Sequence, residues 1–85
     1  MDSLFIFSRL PVEDELRLVQ TQSAAKVLLL GPAVFTPVAN FKNRIVLILA
    51  EEIEELGLTP LPPGFKSETS TVILETMLSH KVFNF

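Results

Sequence analysis

Few side chains in this sequence could do chemistry. His80 is the single histidine. A base or a metal ligand could be made of it, but a metal site needs three or four convergent ligands. Neither Thr76 nor Asn84, four residues away on either side, is a carboxylate. At a helix end beside Lys81, His80 reads instead as a cation set against the helix C-terminus. Glu51, Glu52, Glu54 and Glu55 crowd a short segment after an apolar run; such a cluster reads as a solvated helix face, with dipole support near the N-terminus. Ser3, Ser8, Ser23, Ser67, Ser70 and Ser79 offer hydroxyls, but none lies in Gly-x-Ser-x-Gly and only one histidine could activate any of them. Gly31-Pro32-Ala33 falls where α/β folds bind ligands, past the end of a strand. A lone glycine without phosphate-loop spacing reads as a tight turn.

Cysteine is absent. This excludes a disulfide framework, a thiolate nucleophile and a persulfide carrier within the chain. No cofactor, metal or catalytic constellation is expected, and the chain reads as a non-enzyme. The other reading is a small ligand-binding or enzymatic domain with its site at the C-terminal edge of the sheet, near Gly31, Pro32, Ala50 and Glu51.

At 85 residues and 9.5 kDa the chain makes one domain, 1–85. Hydrophobic residues make up 48% and the mean hydropathy is +0.44, so a packed core is expected rather than a disordered tail. Seven Lys and Arg against ten Asp and Glu give a net charge of −3, which removes the attraction to phosphates on which nucleic-acid binding depends. The opening Met1-Asp2-Ser3-Leu4 lacks the basic segment of a secretory signal, so a cytoplasmic protein is expected. The longest charge-free stretch, Val27 to Phe41, holds Pro32 and Pro37 and falls short of the ~20 apolar residues of a membrane helix.

The elements that must position these residues follow from three continuous apolar runs: Leu4–Phe7, Val27–Leu30 and Ile45–Leu49. Such runs are the form of strands buried on both faces of a parallel sheet. Between the first two, Val12, Leu16 and Val19 recur at helical spacing, Leu18 widens the stripe, and Pro11 suits the first helical position. Glu51 to Leu56 reads as a short helix with Ile53 and Leu56 inward, ended by Gly57 and an apolar contact from Leu58. Thr59 to Gly64 holds three prolines and reads as a stiff surface connection. Thr69 or Ser70 can cap a last helix to about His80, with Val72, Ile73, Thr76, Met77 and His80 along its inner stripe, before a terminal strand, Val82–Phe85. The predicted fold is α/β: a three-layer sandwich around a mainly parallel sheet of four or five strands.

Pro32 and Pro37 make Gly31–Asn43 a poor helix, yet Val34, Phe35, Val38 and Phe41 need cover. These four, with Phe83 and Phe85 on the terminal strand, are the expected partner interface. A domain this small buries only about 60% of its unfolded surface, which favours an oligomer.

The string from Ile45 to Thr59, a buried strand running into an acidic helix ended by Gly57-Leu58, resembles the corresponding segment of the DsrH/TusB family. Thr71 to Phe85, with His80-Lys81-Val82 and a closing aromatic, is similar to that family's last helix, its His and Lys, and its terminal Trp. Ser8-Arg9-Leu10-Pro11 and Val27 to Val34 resemble its opening elements. Leu56 stands where the family commonly has Arg, and Gly31-Pro32-Ala33 replaces its polar loop. The resemblance implies a DsrEFH-like fold and assembly with DsrE-like and DsrF-like subunits. It also implies a place in a sulfur relay, toward tRNA wobble-uridine thiolation in the TusB branch. Without a thiol, this chain's implied part is structural or docking; self-association as a homo-oligomer is the alternative partnership.

Overall fold

The computed structural model describes residues 2–22, 24–42, 44–58, 61 and 63–85. Five strands alternate with helices: β1 Ser3–Phe7, α1 Glu13–Thr21, β2 Ala25–Leu29, β3 Ile45–Leu49, α2 Ala50–Glu55, β4 Phe65–Glu68, α3 Ser70–Ser79 and β5 Lys81–Asn84. Two 3-10 turns, Gly31–Phe35 and Val38–Phe41, fill the connection from β2 to β3. All pairings are parallel, in the order β4-β3-β2-β1-β5. The expected α/β fold with a parallel sheet is therefore present.

Alternate residues of each strand serve opposite faces. Phe5, Phe7, Val27, Leu29, Val46 and Ile48 form one core with Val19 of α1, Ala33, Val34 and Phe41 of the 3-10 turns, and Leu58. Leu4, Ile6, Leu28 and Leu47 form the other, closed by Ile73 of α3 with Met77 packed beside it. The walk β1 to β4 runs in one direction and keeps α1, the turns and α2 on one face. The return from β4 to β5 beyond β1 takes α3 to the other, as right-handed crossovers require.

The strand order also explains a missed element. β4, Phe-Lys-Ser-Glu, has no apolar run and falls between the expected connection, Thr59 to Gly64, and the expected last helix. It becomes a strand because β3 presents an open edge, with Val46 beside Phe65 and Leu49 beside Glu68. Of the preceding proline segment, Thr59, Pro60 and Pro62 lie outside the described residues.

Helix boundaries follow local chemistry. α1 starts at Glu13, not Pro11, because Val12 takes the extended N-cap conformation. Val12 has no side-chain oxygen to cap with, so only half of a capping box exists: Glu15 Oε1 accepts from the Val12 N–H at 2.9 Å. Leu18, expected to widen the inner stripe, lies on the outer side of α1, 38% exposed. α2 ends as expected: Gly57 at φ +71° donates to Glu54 O and Leu58 to Ile53 O, while Leu58 itself is buried. Thr69 is the N-cap of α3, its hydroxyl accepting from Val72 N. Ile73 and Met77 face inward as expected, whereas Val72 is 39% exposed.

Phe5 is fully buried and stacks on Phe83, with centroids 4.8 Å apart, and more loosely on Phe85 at 6.2 Å. Truncation of such a ring costs about 3–5 kcal/mol, a large part of the ~5–15 kcal/mol that holds a domain together. Phe5→Ala is expected to lower the urea midpoint steeply or to unfold the chain, whereas Leu78→Ala, at an 88% exposed position, should leave it nearly unchanged. Circular-dichroism denaturation of the two variants checks this.

Candidate functional site

The C-terminal edge of the sheet is the place where this fold class binds ligands. Here some of its polar groups are held by the chain itself. Ser8 donates both its N–H, at 3.2 Å, and its Oγ, at 3.0 Å, to Phe85 O. Gly31, at φ +53°, gives its N–H to Glu52 Oε2 at 3.1 Å. A backbone donor at a turn of this kind would otherwise suit an anion; an internal carboxylate already holds it. Glu52 thus tethers α2 to the turn after β2, while Glu51, Glu54 and Glu55 form the expected exposed face. An open hollow of about 600 Å³ lies against α2, lined by Ala50, Ile53, Glu54 and Gly57, and offers one carboxylate with no base or nucleophile beside it among the described residues.

His80 is the C-cap residue of α3, at the helix end where it is expected. Its side chain is 9% exposed, with Nδ1 2.8 Å from Ser79 Oγ and Nε2 3.9 Å from Asp2 Oδ2. Nε2 has no hydrogen-bond partner among the described residues. The ring sits where α3 turns into β5, against the start of β1. No group of three or more His, Asp or Glu able to hold a metal ion occurs among the described residues.

The six residues expected at a partner interface separate into different environments. Val34 and Phe41 lie in the chain's own core, 2% and 0% exposed, so they are not available on its surface. The reason is that two 3-10 turns, poor in helical bonds though they are, still cover the sheet. Gln20 Nε2 donates to Phe41 O at 3.0 Å and Arg44 Nη2 to Gln20 O at 3.2 Å, fixing the second turn to α1. Val38 is half-buried against Gly64, where an added Cβ would stand 2.9 Å from Val38 Cγ1. Phe35 alone of these four projects outward, 62% exposed. Phe83 and Phe85 are half-buried, stacked on Phe5 and Phe7 at the uncovered margin of the sheet.

Sequence reasoning missed other exposed apolar groups: Leu10, Val12, Leu74 and Leu78. For α3 a signal was available. Val72, Ile73, Leu74, Met77 and Leu78 spread over about two thirds of the helix circumference, more than one buried stripe needs, so part of this apolar arc is left unused by its own domain. Comparison with known proteins returns no match: no family profile, no curated protein and no solved structure.

One ion pair at this edge titrates. Glu15 faces Arg9, with Nη1 at 2.9 Å, and the hydrogen bond from Arg9, helped by the Val12 N–H, holds its carboxyl below the usual carboxylate range. A carboxyl depressed in the folded state adds stability that is present above its unfolded pKa and is lost as pH falls through the folded one. Glu15→Gln is expected to be less stable than the parent at pH 7, with the gap closing as pH drops below about 4. Urea midpoints measured across that range test this.

Proposed function

We propose that this chain is a non-catalytic docking subunit of a DsrEFH/TusBCD-like sulfur-relay complex, passing persulfide sulfur between thiols carried by its partners, in a pathway that ends in tRNA wobble-uridine thiolation. The observation that carries this reading is the string Ile45 to Leu58. Its resemblance to DsrH/TusB sequences covers a strand, an acidic helix and a Gly-Leu end, and those residues fold as one continuous β3–α2 unit closed by Gly57 and Leu58. The second resembling string, Thr71 to Phe85, occupies α3 and β5. With no cysteine anywhere in the sequence, the chain holds no sulfur atom able to accept a persulfide. Its contribution to a relay is then to shape and hold the assembly. Phe35, an exposed aromatic on a well-anchored turn, supplies the kind of side chain that dominates binding at a partner surface.

Coexpression with DsrE-like and DsrF-like proteins from the same genome tests the proposal. The expected outcome is a stable copurifying complex in which radiolabelled persulfide sulfur resides on the partners and never on this chain. Failure of the three products to copurify overturns it. Phe35→Asp should weaken that complex about tenfold or more while leaving the circular-dichroism spectrum unchanged.

A further inference from the structure

We propose that β5 is a docking edge for a second copy of this chain, the two β5 strands pairing antiparallel about a two-fold axis at Phe83 to join both sheets into one. The inference does not depend on the sulfur-relay reading, because it concerns the chain on its own.

β5 is a terminal strand of the sheet, bonded on one side to β1. Lys81 N donates to Asp2 O at 2.8 Å and Phe85 N to Ile6 O at 2.9 Å, and Phe85 O accepts from Ser8 N. Alternation along a parallel ladder therefore turns the backbone groups of Lys81, Phe83 and Phe85 toward β1, and those of Val82 and Asn84 away from it. In an antiparallel pair, directly opposed residues exchange both of their bonds. Setting Val82 against Asn84 of the second copy, and by symmetry Asn84 against Val82, satisfies every outward group of the strand. Shifting the axis to Val82 would pair that residue with itself and send Asn84 to His80, which lies outside the strand.

The side chains agree with this register. Phe83 meets its symmetry mate at the close, non-hydrogen-bonded position, where aromatic cross-strand pairs are favourable. Lys81, the only charged residue of β5, falls opposite Phe85 of the second copy, not opposite the other Lys81. Its ammonium already lies 5.3 Å from the centroid of the Phe83 ring, so the same kind of contact extends across the seam. The two half-exposed rings on each side gain the cover that α1 does not give them at the sheet margin. An axis perpendicular to the sheet also puts both copies of α3, with exposed Leu74 and Leu78, in one layer over the joined sheet.

The other edge lacks these properties. β4 carries an adjacent ion pair, Lys66 with Glu68 at 3.4 Å, and its Lys66 and Ser67 are exposed, the charged and polar pattern by which edges resist pairing.

Sedimentation of the 85-residue chain alone should show a concentration-dependent species of twice 9.5 kDa. Asn84→Pro removes an outward N–H without touching a bond to β1 and should weaken dimerisation about tenfold or more, with an unchanged spectrum and, at concentrations where the parent is monomeric, an unchanged melting curve. Because the chain has no cysteine, Phe83→Cys and Asn84→Cys are single-thiol probes. Under mild oxidation the Phe83→Cys chain should crosslink to a disulfide dimer, and Asn84→Cys, whose mate is Val82, should not. A parent chain that stays monomeric at several hundred micromolar, a dimer indifferent to Asn84→Pro, or equal crosslinking at both positions overturns the proposal. Should Phe83→Cys fail to fold, the Asn84→Pro comparison decides alone.

Discussion

One row of side chains crosses the whole sheet and carries the structure: Phe83, Phe5, Val27, Val46 and Phe65, adjacent in register on five neighbouring strands. They lie on the same face because every pairing is parallel and in step. Such a sheet must be covered on both sides, since each strand of its centre is apolar in both directions. In a chain of 85 residues the connections must do this with little material, and every connection is bent to that use. The segment with two prolines cannot be a helix, yet it buries Ala33, Val34 and Phe41 over the sheet through two short turns.

What holds such thin cover in place is a set of polar tethers between connections. Glu52 reaches from α2 to the Gly31 N–H, Gln20 from α1 to Phe41 O, and Arg44 from the start of β3 back to Gln20 O. The first two satisfy backbone groups of the irregular segment and the third a carbonyl in the last turn of α1; an unmade bond at such a group, where buried, costs about 1–3 kcal/mol. One of these tethers lies at the C-terminal edge of the sheet, where the Glu52 carboxylate occupies the Gly31 N–H.

The surface that remains is apolar in separate places. Phe35 projects from the first 3-10 turn, Leu74 and Leu78 from α3, and Phe83 and Phe85 lie half-covered at the margin formed by β5. Net charge −3 with few cations argues for protein partners over phosphate-rich ones. With no thiol, the chain cannot itself carry a persulfide.

Much of this was legible in the order of residues. Continuous apolar runs at Leu4–Phe7, Val27–Leu30 and Ile45–Leu49 declare buried parallel strands, because only a strand covered on both faces can lack polar alternation. Gly57 followed by Leu58 declares the end of α2, since a left-handed position and an apolar contact are a local requirement. Absent cysteine settled which chemistry the chain itself lacks. Tertiary structure alone decided the rest. β4 exists because β3 has an open edge, not because Phe-Lys-Ser-Glu prefers a strand. Val34 and Phe41 are core while Phe35 is surface, although all three are apolar residues of one proline-containing segment, because the path of the two turns over the sheet, held by Glu52 at Gly31 and by Gln20 at Phe41, chooses which side chains face it. His80 meets Asp2 across seventy-eight positions of sequence because β5 returns beside β1, and no local pattern encodes a neighbour brought in by that crossover.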